Sequence, residues 1–227
     1  MGFDRIVCLA NSYKHKHRCV AGISQRSKKW VRLVGTKVPG CLTIKETCYP
    51  DGPPAELLDV FEVELGEACG SNCHPEDVFV TDRPWRLIRR FDQPGDTAFL
   101  KSLASQRPTI LQGYGSRLKA RRVEERPMEH SLELVEPFDL WWWLRLEDGK
   151  RKCRALFLVS PDSHIRYDLP LTDPDWEMKL QRMPLGIHSH ADVEFKRFHK
   201  LLLTLSLGEE FKGFHYKLVA GVIPLPG

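Results

Sequence analysis

The sequence predicts a mainly β protein with a few short helices, built as two five-stranded barrel-like units in tandem. Short strand-like runs recur along the chain, turn signals separate them, and both halves present them in a similar order. A chain of 227 residues is long enough for one large domain or two small ones. We expect a first barrel at 1–92, a helical and basic connector at 93–138, and a second barrel at 139–227.

The second half shows the strand order more clearly. Trp141–Leu146 predicts a strand, Asp148-Gly149 a hairpin turn and Arg151–Val159 the returning strand. Asp173 is suited to cap a short helix that begins at Pro174. The remaining predicted elements are a strand at 165–169, that helix at 174–182, and strands at 201–207 and 214–223.

The first half repeats this order without a clear helix between its third and fourth strands. Its predicted strands are 5–10, 18–24, 30–34, 60–65, 77–81 and 86–91. Asp96 then predicts the cap of a helix at 97–105. Three strands, a helix and two strands is the order of the OB-fold, a five-stranded Greek-key barrel. The alternative is one larger barrel or sandwich with inserted helices.

Composition favours a cytoplasmic protein. Seven cysteines, an odd number at irregular spacing, indicate reduced thiols rather than a disulfide framework. No apolar run is long enough to span a bilayer, and the first residues lack the apolar stretch of a secretory signal. The net charge of +4 permits an acidic polymer as a partner without requiring one.

Both ends of the chain carry a family resemblance. The opening RIVCLANSYKHKHRCVAGI, followed by WVRLVG, and the segments YDLPLTDPDWE and SLGEEFKGFHYKLVAGVI resemble the prokaryotic dual-OB-domain family. Trp30 and Arg32 occupy the places of that family's tryptophan and following basic residue. The resemblance implies tandem OB-folds, a role in nucleic-acid or nucleotide binding, and a setting in bacterial defence or conflict systems. It brings no catalytic residues.

Two basic segments are candidate nucleic-acid contacts. OB-folds bind oligonucleotides on the face of strands two and three and on the loop between strands one and two. Cations there pair with phosphates, and each stacked ring contributes about 1–3 kcal/mol. The candidates in the first segment are Tyr13, Lys14, Lys16, Arg18, Lys28, Lys29, Trp30 and Arg32. The alternative is a solvated loop and a core tryptophan.

The second basic segment lies in the connector, where Gly113 and Gly115 would let backbone amides approach an anion. Its candidate contacts are Tyr114, Arg117, Lys119, Arg121 and Arg122. If this segment is helical, Arg117 and Arg121 share one face. The alternative is a solvated connector whose cations pair with Glu124 and Glu125.

Metal binding and catalysis find weaker support. Two candidate ligand sets are Cys69 with Cys73 and His74, and His188 with His190 and Asp192. Their spacing differs from the tight pairs of structural zinc, so we expect no metal or other cofactor. P-loop, G-x-S-x-G and H-E-x-x-H motifs do not occur, and we do not expect an enzyme.

Trp141, Trp142 and Trp143 alternate across a strand, so Trp142 faces one way and its neighbours the other. We expect one side in the core and the other packed against the first unit; the alternative for that other side is a stacking surface. The expected function is an accessory protein that binds DNA or RNA, with a protein from the same operon as a further partner. The alternatives are a protein-interaction subunit of a larger complex and a nucleotide-sensing module.

Overall fold

The computed structural model describes residues 2–14, 16–38, 40–50, 52–189, 192–193 and 198–226. The strands are β1 (Gly2–Lys14), β2 (His17–Ser24), β3 (Trp30–Val34), β4 (Asp59–Ala68), β5 (Asp77–Val80), β6 (Arg86–Arg90), β7 (Arg117–Lys119), β8 (Leu132–Val135), β9 (Phe138–Glu147), β10 (Lys150–Leu158), β11 (Tyr167–Pro170), β12 (Gly186–Ser189), β13 (Phe198–Phe211) and β14 (Phe214–Pro226). The helices are α1 (Pro94–Leu103), α2 (Ala120–Glu125), α3 (Pro174–Leu180) and a 3-10 turn at Ile44–Thr47.

The first unit is a closed barrel with the strand order of an OB-fold. Its strands follow the order β1-β2-β3-β5-β4, and β4 returns to pair with β1, where Ile6 lies opposite Phe61. The β3–β5 pair is parallel and the other pairs of the barrel are antiparallel. Alternate side chains such as Val20, Leu33 and Val63 fill the interior. The prediction of an OB-like barrel in the first half is therefore confirmed.

Two helix starts, one in the first half and one in the predicted connector, differ from the prediction. A 3-10 turn lies between β3 and β4, where no clear helix was predicted, and the Thr43 hydroxyl accepts from the Glu46 amide at its start. Helix α1 begins at Pro94 rather than after Asp96. The Asp96 carboxylate instead reaches back to the Gln93 amide at 2.9 Å, so it caps the helix from within the first turn.

The second unit follows the same order but stays open. Strands β9, β10 and β11 form antiparallel pairs, and Leu171, just after β11, bridges in parallel to Val219 of β14. Strand β13 pairs with β14 and with β8, while β9 pairs with β12. Closing the barrel would require β9 to pair with β13. In the described residues, β12 pairs with that edge of β9 and β8 with that edge of β13. The unit is therefore a half-barrel, consistent with an OB-fold.

The segment predicted as a connector supplies strands to the second unit. Strand β7 pairs with β14, and β8 pairs with β13. Arg117 lies on β7 and Arg121 on α2, so the segment is not one helix and the two residues do not share a helical face. Helix α3 is confirmed, since the Asp173 carboxylate accepts from the amides of Asp175 and Trp176 at 3.0 Å.

A continuous apolar layer joins the two units, and we call it the seam. Leu9 and Ile23 of the first unit pack with Leu134, Leu202 and Ile223 of the second. No helix in the described part of the chain has the length and apolar character needed to cross a membrane.

Candidate nucleic-acid interface

The second unit covers the face of the first barrel that OB-folds use for ligands. Outward-facing Ala21 and Ile23 of β2 are each 2% exposed. Ala21 packs against Leu132 and Ala220 of the second unit. The β2–β3 face of the first unit is therefore part of the seam and is closed to an oligonucleotide.

Arg32 on β3 is buried in this seam. Its guanidinium donates to the hydroxyls of Ser131 at 2.7 Å and Ser206 at 3.2 Å, both in the second unit. It also lies 3.7 Å from Glu76 and 3.5 Å from Asp77. The expectation that Arg32 contacts phosphate is corrected, because its side chain already joins the two units and is 7% exposed.

The other residues of the first basic segment lie at two separate ends of the barrel. Tyr13 pairs with Arg18 at one end of β2, and Trp30 pairs with Ile23 at the other. Arg18 and Ile23 are five positions apart on β2, which corresponds to about 17 Å. The predicted single surface is therefore divided into two.

At the first end, the Arg18 guanidinium stacks 4.3 Å from the Tyr13 ring, and Lys16 is exposed in the turn. The side chain of Lys14 lies outside what the structure describes. At the second end, Lys28 and Lys29 are exposed. Trp30, by contrast, is half-buried against the seam, as in the alternative of a core tryptophan.

The second basic segment forms a surface with β14. Leu118 and His215 are buried, so Arg117, Lys119, Phe214 and Tyr216 alternate to the outside. The Arg117 guanidinium lies 4.0 Å from the centre of the Phe214 ring and 6.0 Å from that of Tyr216. We call these four residues the β7–β14 surface.

The remaining candidates of this segment are positioned differently. Arg121 pairs with Glu125 at 2.6 Å, in line with the solvated alternative, and the Arg122 guanidinium donates to the Gln112 carbonyl. Tyr114 is 69% exposed. Arg121 and Arg122 therefore already have protein partners, whereas Arg117 and Lys119 form no ion pair among the described residues.

A third surface lies on the outer side of β9, for which the sequence left a stacking surface as the alternative to packing. Trp142 is fully buried in the core of the second unit, while Trp141 is 36% exposed on the outer side of β9. Its neighbours on that side are Trp143, which pairs with Arg154 of β10, and Arg145, which pairs with Lys152. We call these five residues the tryptophan face. The expectation that Trp141 and Trp143 pack against the first unit is wrong, because the seam uses other strands.

Ion pairs neutralise part of the tryptophan face. Arg154 binds Asp168, and Arg145 binds Glu147 while stacking 4.4 Å from the Trp143 ring. Lys152 is exposed and forms no ion pair among the described residues. The signal that pointed to this face was present in the sequence: alternating tryptophans on one strand opposite alternating cations on the next.

Tyr13 lies between the tryptophan face and the β7–β14 surface. It lines a cavity of about 380 Å³ together with Lys152 and Arg154. It also lines a smaller cavity of about 100 Å³ with Leu218, two residues beyond Tyr216 on β14. The first unit thus places an aromatic ring beside both cavities.

Two of the candidate metal ligands near β5, Cys73 and His74, contact residues of the second unit. The Cys73 sulfur lies 3.1 Å from His215 Nδ1, and His74 Nε2 lies 2.8 Å from the Leu207 carbonyl. Burial raises the pKa of Cys73 to about 12, so this thiol keeps its proton at neutral pH. His190, of the other candidate set, lies outside the described residues. Among those that are described, no three candidate ligands come together.

Comparison with known proteins agrees with the fold. A family model described as the dual OB-containing domain matches residues 4–222. Neither curated proteins nor solved structures gave a significant match. OB-folds are suited to oligonucleotide binding in general. Because the match spans both units, the chain belongs to the family of dual OB-containing domains.

Proposed function

We propose that this protein binds single-stranded nucleic acid on the tryptophan face. The observation that supports the proposal is an asymmetry between the units. The face of strands two and three is covered in the first unit, whereas the corresponding strands of the second, β10 and β11, present an open side next to Trp141 and Trp143.

The chemistry of this face suits an unpaired strand. Trp141 and Trp143 are two residues apart on one strand, which separates their side chains by about 7 Å. That spacing lets each ring contact a different base, and stacking requires bases that are free of a duplex. Lys152 supplies a cation for the phosphates, and ion-paired Arg145 and Arg154 lie beside it.

Replacing Trp141 tests the proposal. Since one base–ring stack contributes about 1–3 kcal/mol, Trp141→Ala is expected to weaken binding of a labelled single strand by about 5- to 150-fold. Fluorescence anisotropy with DNA and RNA single strands and with a duplex measures this loss. The affinity of the unchanged protein is expected to fall as salt rises, because phosphate contacts release counterions.

Phe3→Ala is the matched control, since Phe3 is an exposed ring next to Arg83 on the first barrel. It is expected to leave affinity unchanged. Equal losses for both variants, or duplex bound as tightly as single strands, would contradict the proposal.

A second candidate function is docking of a protein partner. Ile187 on β12, opposite Trp143, is 58% exposed, and an apolar side chain beside the tryptophan face suits a protein interface. This function is favoured if no nucleic acid binds and a partner co-purifies in fixed stoichiometry.

A further inference from the structure

The β7–β14 surface carries the features of a nucleic-acid contact but lies apart from the tryptophan face. We propose that one strand crosses both surfaces, passing over Tyr13, so that the binding site has two parts. This inference rests on the function proposed above and adds the path of the strand.

Unpaired cations are the first support. Arg117 and Lys119 are exposed on β7, and Lys212 is exposed in the turn that follows β13. None of the three forms an ion pair with another described residue. The Arg117 guanidinium also stacks on Phe214 at 4.0 Å, and its Nη1 donates to the Tyr216 hydroxyl at 3.4 Å. These contacts hold it in place and leave its other nitrogens for phosphate.

Exposed rings on the same side are the second support. Phe214 and Tyr216 are half-buried, and Phe211 at the end of β13 is 60% exposed. Rings alternating with unpaired cations along a sheet are the combination that non-specific single-strand binders use.

Continuity through Tyr13 is the third support. Its ring lines the cavity that contains Lys152 of the tryptophan face and a second cavity that contains Leu218, two residues beyond Tyr216 on β14. Asp77 and Glu209 also line the smaller cavity, so the strand is expected to turn a base towards it, with Tyr13 as the stacking partner. Strand and residue spacings place the two surfaces on the order of 20 Å apart.

Strand length tests this path. At about 3.4 Å per stacked nucleotide, a strand of about 4 nucleotides covers one surface and a strand of about 16 covers both. The double variant Arg117→Ala/Lys119→Ala is expected to weaken binding of the longer strand by about tenfold or more and to leave binding of the shorter strand unchanged. Trp141→Ala is expected to weaken binding of both strands. Anisotropy titrations with oligothymidylates of both lengths give these ratios.

The charge-matched control is Arg83→Ala/Arg86→Ala, which removes two cations from the first barrel, where they pair with Glu64 and Glu62. It is expected to leave the affinity for both strands unchanged, and thermal melting checks that each variant is folded. If Arg117→Ala/Lys119→Ala weakens binding of both strands equally, or of neither, the two-part path is overturned. If the unchanged protein binds neither strand, the proposed function itself fails.

Discussion

Arg32 makes different contacts in the folded protein from those that its position in the sequence predicts. Its position on the third strand belongs to the face on which OB-folds bind oligonucleotides. In the structure its guanidinium lies between two serines of the second unit and two carboxylates of its own. A buried cation must be paired in this way, because an isolated charge is costly away from water.

Replacing Arg32 is therefore expected to affect folding more than binding. Arg32→Ala leaves Glu76 and Asp77 without their cation in the seam, and breaking a buried pair costs about 3–5 kcal/mol. Urea unfolding measures this loss. Arg26→Ala, which removes a 70% exposed side chain, is the control and is expected to change the free energy of unfolding by less than about 1 kcal/mol. Full stability of Arg32→Ala combined with lost affinity would show that Arg32 binds ligand.

Strand alternation and helix capping operate at the scale of the element. Strand β9 buries Trp142 and turns Trp141 outward because successive residues face opposite sides. At the start of helix α1, the Asp96 carboxylate accepts a hydrogen bond from the Gln93 amide. It also accepts hydrogen bonds from Nη1 and Nη2 of Arg89, at 2.6 and 2.9 Å. Asp96 is the capping residue, as predicted, but it acts from the third position of the helix. The helix therefore begins at Pro94, three residues before the predicted start.

The pairing of Asp96 with Arg89 makes stability depend on pH. The hydrogen bonds from Arg89 hold the pKa of Asp96 below its usual 3.8, so the native state favours the carboxylate. Asp96→Asn is expected to cost about 1–2 kcal/mol at pH 7. This difference in the free energy of unfolding should be fully present above the pKa of Asp96 in the unfolded chain. It should disappear as pH falls through the lowered pKa of Asp96 in the folded protein. Urea unfolding of both proteins at several pH values measures it, and a constant difference down to pH 2 would contradict this account.

At the scale of the whole molecule, the two units share one interior boundary. The Thr204 hydroxyl donates to the Leu9 carbonyl at 2.5 Å, and the Tyr13 amide donates to the Thr172 carbonyl at 3.2 Å. Together with the apolar layer of the seam, these contacts join the units into one body. Packing of Ala21 against Leu132 and Ala220 covers the β2–β3 face of the first barrel, whereas the β10–β11 face of the second unit stays open.

Gly221→Ala tests this coupling. A Cβ at Gly221 would lie 2.5 Å from the Leu9 carbonyl oxygen, and backbone on both sides prevents an easy adjustment. Crowding of this kind costs about 1–3 kcal/mol, and we expect one unfolding transition shifted to lower urea. Gly95→Ala, where no atom lies within 4 Å of the new carbon, is the control. Two transitions, of which only one shifts, would show that the units unfold separately.

The sequence by itself determined the class of the fold and the sides of its strands. Recurrent strands, the Asp148-Gly149 turn and the Asp173 cap depend on neighbours a few residues away, and all are present in the structure. Only the tertiary structure decided which strand faces are covered. That choice depends on surfaces distant in the chain: Arg32 meets Ser131 and Ser206, 99 and 174 residues further on. Alternation assigns a residue to a side of a strand, but burial of that side depends on what packs against it.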